Sequence, residues 1–531
     1  MTSIVTTLST TQIRSLSTAA VKAWTTEDVA SLSTKQISVL SSAQIAALDT
    51  EDVDVLSSQQ LNAISQNAIV GLTLDQLAVL TGSDIESLST LQIAAITTAQ
   101  ISALSTDQAE ALTTSQVKAL GSKQLAALSA ADVSTFSTDD IAAITNQAIS
   151  GLDTRAIAAL STDQVAALSS SGITGLTTSQ IAALSTAQVA AFTTIQIAAL
   201  KASQIAVMRT NDIAVLSTAQ IASLSTSAIA GLTTSQIAAL STDQAEALSS
   251  TQVKVLSSSQ LASLGTDDVA TFSAADMAAI TVSAVPGLST AVIAALSTDQ
   301  IAALSTGAIS GLTTAQIGAL STEQVAALTT TQVGALKATQ VAVMSTDDIA
   351  ALSNTQMAAL SKTAVAGLTT AQIAALSTMQ VTALTTTQVN ALKAAQVAVM
   401  STTEIAALSS AQIAALSITG LSGLTTTQIA ALSTAQAEAL TTTQVAALSS
   451  TQFSAMGTDD IATFSTADIA AISSRAISGL STDVIAALSS TQIAALSKTG
   501  IAGLSTNQIA ALSTTQAEPA AAPASMASVV P

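Results

Sequence analysis

The sequence predicts an all-α fold: a solenoid, or superhelix, of very short helices, one per eight-residue repeat, with about 3.4 repeats per turn. Three observations predict it. Every position divisible by eight, from Leu8 to Leu512, is a large apolar residue, an unbroken register of 64 octads. Most octads open with Ser or Thr and carry Gln, Asp or Glu three residues later, the pattern of a helix start. Ten octads replace position 7 with Gly at recurring intervals.

The consensus is S/T-T/S-x-Q/D-I/V-A-A-L, as in Ser217-Thr218-Ala219-Gln220-Ile221-Ala222-Ser223-Leu224. A continuous α-helix does not fit it. Eight residues at about 100° each overshoot two turns by about 80°, so the leucines would wind around the helix and define no face. A flat strand does not fit either, because positions 5 and 8 have opposite parity and would point to opposite sides. A helix started afresh every eight residues fits. The hydroxyl at position 1 takes the backbone N–H at position 4, and the side chain at position 4 reaches back. Acidic residues gather at positions 3 and 4, where they oppose the positive end of the helix dipole. Each helix of about two turns is unstable alone and needs stacking on its neighbours. Positions 5 and 8 are expected to line the interior, and positions 1 to 4 to face water or the boundaries between turns. All six aromatics occupy positions 5 and 8, with Phe453 at 5. The organisation expected is an uninterrupted solenoid over residues 1–512 and an Ala/Pro-rich, disordered tail over 513–531.

The glycine octads carry Gly71, Gly151, Gly175, Gly231, Gly287, Gly311, Gly367, Gly423, Gly479 and Gly503, a candidate packing or docking line. Their spacings are threes and sevens of octads, with one ten. If three octads make about one turn and seven about two, the turn holds about 3.4 octads or about 27 residues. Most of these octads also lose the position-4 Gln, as at Ala148, Gly172, Ala228 and Ala364. Met208, Met344, Met400 and Met456 each stand three octads before the last residue of a glycine octad, which predicts a methionine knob over a glycine hole. Block duplication is the other origin of the spacing, since 201–240, 337–376 and 393–432 are close copies. With helix layers about 9–10 Å apart, 64 octads would form a rod on the order of 180 Å long.

Composition excludes much chemistry. The chain has 33 acidic and 14 basic residues, a net charge of −19, and no His, Cys or Tyr. It therefore lacks a histidine base, a thiol nucleophile, disulfides and the ordinary zinc and haem ligands. The negative charge argues against nucleic acid. No apolar run nears the ~18–20 residues that span a bilayer, so no membrane insertion is expected. The opening MTSIVTTL shows no cleavable signal peptide. No break in the register houses a catalytic site, so neither an enzyme nor a small-molecule substrate is expected. The one cofactor the sequence suggests is calcium, at the pairs Asp139-Asp140, Asp267-Asp268, Asp347-Asp348 and Asp459-Asp460. These lack any calcium-loop spacing, and a helix-start role explains them better. Regular threonine rows suggest ice binding, but Ser and Thr interchange freely at positions 1 and 2, as capping allows and lattice matching does not.

Segments such as LTTSQIAALSTDQ (232–244) and LSTAQVAAF (184–192) resemble the tandem octapeptides of large bacterial adhesin-like repeat proteins, a likeness covering residues 1–512. The resemblance implies a non-enzymatic structural protein, a rod or filament that is extracellular or on the cell surface. A haem role sometimes attached to such proteins finds no ligand here. Leu240-Ser241-Thr242-Asp243-Gln244 is similar to the first helix of TAL-effector repeats. The second helix, base-reading loop and basic charge are missing, so DNA reading does not transfer. The expected partner is the chain itself, end to end or laterally, because solenoid ends expose core. The alternative is an α-solenoid scaffold that holds a partner protein in a groove or along the glycine line.

Overall fold

The structure, a computed structural model, describes residues 4–516. These residues hold sixty α-helices and four 3-10 turns, one element in each octad, and no β-strand. The helices run for four to six residues, shorter than the two turns expected of an octad. Three of the 3-10 turns, Ile149–Gly151, Val285–Gly287 and Ile477–Gly479, lie in glycine octads. Residues 517–531, most of the expected tail, lie outside the described residues. Ser513 and Gln516 still follow the octad pattern, with the Ser513 N–H donating to Gln516 Oε1 at 2.8 Å.

Each octad is built as its sequence dictates. Ser217 is an N-cap with φ −68° and ψ 160°. Its Oγ accepts from the Gln220 N–H at 3.2 Å, and Gln220 Oε1 accepts from the Ser217 N–H at 2.7 Å, a complete capping box. The helix Thr218–Ser223 ends at Leu224, whose φ of −56° and ψ of 132° take the chain out of the helix. Position 8 and the following position 1, both non-helical, thus turn the corner, and the corners after Leu16, Leu88 and Leu160 are built alike. No described residue has positive φ, so the corners need no glycine.

The core is two residues deep per octad. Ile221 is 0% and Leu224 3% exposed, and the same positions are buried from Val29 to Leu496. Each such side chain contributes about 1.5–3 kcal/mol on burial, which is what makes so short a helix persist. Contacts divide the chain into two compact units, Met1–Thr271 and Phe272–Pro531. In the first, each helix packs on the one three octads further along, as Thr114–Ala119 does on Thr138–Ala143. The second unit repeats the arrangement, with Ala338–Val341 on Lys362–Gly367.

Position 4 takes the second of its two expected places, the boundary between turns. Its glutamine is not turned to water; Gln236 is 2% exposed. Gln236 Nε2 donates to the Ile205 oxygen at 2.8 Å and the Met208 oxygen at 2.7 Å, both in the fourth octad before its own. The same two offsets join Gln36 to Val5 and Leu8, Gln76 to Ile45 and Leu48, and Gln444 to Ile413 and Leu416. The position-8 carbonyl is one that a helix end leaves without an intrahelical donor. One side chain therefore closes the start of its own helix with its oxygen and the end of an earlier helix with its nitrogen. Helix packing across three octads and amide bridging across four bracket the turn of about 27 residues inferred from the glycines.

Gln236→Met should expose two buried acceptors and cost about 1–3 kcal/mol. Gln236→Glu should cost more at pH 7, because a carboxylate then faces two carbonyl oxygens. The gap between the two variants should narrow below about pH 4, where the carboxyl is protonated and donates again. Urea unfolding with hydrogen exchange read over 201–240 measures both.

Candidate functional site

Nine of the ten glycines mark where one turn approaches the last most closely. A Cβ on Gly71 would lie 2.7 Å from Ser42 Cα, on Gly231 2.7 Å from Ala202 Cα, and on Gly423 2.6 Å from Ala394 Cα. Gly151, Gly175, Gly311, Gly367, Gly479 and Gly503 meet Ser122, Asn146, Val282, Ala338, Ser450 and Ser474 in the same way. Gly287 ends the turn Val285–Gly287. The partner is always position 2 of the third octad before, and it is never the threonine that the consensus favours there. The glycine line is therefore filled by the chain's own backbone. The copied blocks 201–240, 337–376 and 393–432 each include both members of one contact, so duplication propagates a geometric unit.

The expected methionine knobs are not what fills these gaps. The backbone of Ala202, at the start of the octad that Met208 ends, covers Gly231, while the Met208 carbonyl accepts from Gln236. The three-octad spacing identified the right octad and the wrong end of it. Gly231→Ala should cost about 1–3 kcal/mol through backbone displacement. Gly307→Ala is the control: its Cβ would meet nothing nearer than Ser305 Oγ at 3.7 Å, inside the helix Thr306–Gly311. It should stabilise by about 0.5–1 kcal/mol. Thermal unfolding of the two variants separates the effects.

The acidic pairs split between two environments. Asp139, Asp267, Asp347 and Asp459 are exposed, whereas Asp140, Asp348 and Asp460 are buried and Asp268 half-buried. The buried member is a cap. Asp140 Oδ2 accepts from the Ser137 N–H at 3.0 Å, and its Oδ1 accepts from Thr114 Oγ1 of the turn before at 2.7 Å. Asp348 and Asp468 take the hydroxyls of Thr322 and Thr442 likewise. Aspartate thus exchanges the glutamine's donor bridge for an acceptor bridge to the preceding turn. Among the described residues no three metal-ligating side chains converge. Asp212 differs by pairing with Arg209 at 2.9 Å. Burial pushes its carboxyl up, but Arg209, the backbone and the Thr186 hydroxyl hold it below the usual value.

Burial, with the charge of Asp459 beside it, raises the Asp460 carboxyl above its ordinary value despite the Gly457 N–H that it accepts. A raised carboxyl favours the folded state when protonated, and that contribution is lost as pH rises through its folded value. Asp460→Asn, which keeps the acceptor for Gly457, should therefore stabilise the octads near 460 at pH 7. The advantage should disappear below about pH 4. Hydrogen exchange at the two pH values is the measurement.

The surface offers little else. A shallow recess of 550 Å³ is lined by Thr34, Ser58, Gln59, Asn62, Ala63 and Ser87, none of which titrates. No helix among the described residues is long and apolar enough to cross a membrane. The residue that sequence reasoning missed is the position-4 amide nitrogen. Its signal was the preference for Gln over Glu, since a capping box alone accepts either.

The family model of the ALTTAQ repeat matches residues 5–53, 83–114, 133–202, 205–242, 269–362 and 364–498, in overlapping stretches that cover well over half of the chain. No curated protein matches the sequence.

Proposed function

The chain belongs to the ALTTAQ repeat family, and from that premise we propose that it is a non-enzymatic structural protein, a stacked-helix rod that assembles into filaments at the bacterial cell surface or outside the cell. One observation carries the proposal. In both units the same amide bridge recurs between successive turns, interspersed with the glycine contacts. A chain whose every turn is a template for the next is suited to growth by stacking.

The surface assignment rests on the likeness to adhesin-like octapeptide proteins and on a hydroxyl-rich exterior.

Electron microscopy of the purified protein over a concentration series tests the assembly. Filaments with an axial layer repeat of about 9–10 Å are expected. Single particles at every concentration would overturn the filament. Protease treatment of intact producing cells tests the location, and a chain fully protected until lysis would remove the surface half of the proposal.

A further inference from the structure

In the second unit the contacts sort octads into columns. Gly311 abuts Val282, and Gln340 Nε2 donates to the Ile309 and Leu312 oxygens, so octads 281–288, 305–312 and 337–344 stack in succession. Glycine contacts step three octads and glutamine bridges step four. The same two contacts extend the column through 361–368, 393–400, 417–424, 449–456, 473–480 and 497–504.

These nine octads contain no Asp or Glu, and they hold all five cations of residues 272–516: Lys337, Lys362, Lys393, Arg475 and Lys498. All five are exposed, and the one ion pair among the described residues lies elsewhere. The eleven acidic residues of the same span stand on other octads. Exposed Asp299, Glu323 and Asp347 lie on three successively stacked helices, Thr298–Ala303, Thr322–Ala326 and Thr346–Ala351. Glu438, Asp459 and Asp483 lie on a second such run, Thr434–Glu438, Thr458–Ala462 and Thr482–Ala487.

Helix stability does not explain this separation. Cations at the first positions of a helix oppose the dipole, and acids there would be favourable. Lys337 and Lys393 also replace a capping hydroxyl, and neither side chain caps its helix. The column gives up local stability at several helix starts and avoids the residues that would restore it. Successive layers about 9–10 Å apart lie near the screening length, so neighbouring charges act together. The acidic helices are turns of the same coil and share its layer spacing, which makes the basic and acidic columns complementary in period as well as in sign.

We infer that the second unit packs side by side with a second copy of this chain, its basic stripe against the neighbour's acidic column. The inference rests on the structural reading above and adds a lateral contact to it. Stripe and column are different surfaces, so the contact is heterologous and each added copy leaves one of each free for the next.

Sedimentation velocity and electron microscopy of the full chain at about 20 mM and about 500 mM NaCl provide the test. Side-by-side species are expected at low salt and should disperse at high salt. The triple variant Lys337→Glu, Lys362→Glu, Lys393→Glu should weaken lateral association at least about tenfold. The triple variant Asp299→Lys, Glu323→Lys, Asp347→Lys should do the same. Mixing the two should restore it, because each then presents the other's complement. Circular dichroism establishes that both variants remain helical. Lateral association that is indifferent to salt or to both reversals overturns the inference. So does a chain that stays single at low salt while its stripe captures polyglutamate, which would assign the stripe to a different acidic partner. Filaments that grow end to end with no lateral pairing would defeat this inference and leave the proposed function standing.

Discussion

The solenoid depends on the two-ended hydrogen bonding of the position-4 glutamine, because a helix of four to six residues leaves most of its backbone groups without partners inside the helix. The carboxamide is suited to this task. Its oxygen takes the N-cap N–H of its own octad, as Gln76 does from Thr73 at 2.8 Å. Its nitrogen has two hydrogens, and both find carbonyl oxygens one turn back, on Ile45 and Leu48. A carboxylate could do the first and not the second. A lysine could do the second and not the first. No buried side-chain nitrogen or oxygen among the described residues lacks a partner. Interior burial at positions 5 and 8 supplies most of the stabilisation, but it is non-directional, and the amide is what sets the register between turns.

A turn of about 3.4 octads cannot repeat the same contact at every level, since eight-residue units come only in whole numbers. The structure meets this with two kinds of closure. Where the step is four octads, glutamine spans the distance. Where the step is three at a glycine octad, the backbones approach until a Cβ would overlap, and position 4 shrinks to Ala or Gly, as at Ala228 beside Gly231 and Gly420 beside Gly423. The loss of the amide and the gain of the glycine are one substitution in physical terms. The glycines owe nothing to backbone conformation, since none has positive φ. They are required by what passes over them.

What could be read from the sequence was local. The capping box, the corner at each Ser or Thr and the buried positions 5 and 8 all follow from interactions within one octad, and the structure places them as expected. Non-local partners were legible only where a period recorded them. The glycine spacing gave the length of the turn because the same close approach recurs along the coil. It did not give the partner. The methionine assigned to Gly231 stands at the opposite end of its octad from Ala202, the residue actually in contact. The burial of position 4 was hidden for a related reason: a glutamine in a capping box looks complete, and nothing within its octad shows that its nitrogen is also used. Only the rarity of Glu at that position, with Glu404 an instance, carried the information.

The same distinction between local and distant constraint bears on function. Substitutions that improve an octad by its own rules, such as Asp at positions 3 and 4, need no outside cause. Their absence from nine stacked octads of the second unit, where Lys337 and Lys393 stand at the N-caps, runs against those rules. The interior sets position 4, as a bridging glutamine, a capping aspartate or a small residue beside a glycine, but it leaves the exposed position 3 free to carry either charge. A pattern that helix electrostatics opposes and the core ignores has to be set by what meets the outside of the coil. In a protein whose interior contacts recur turn after turn, that outer surface is where one side can differ from another.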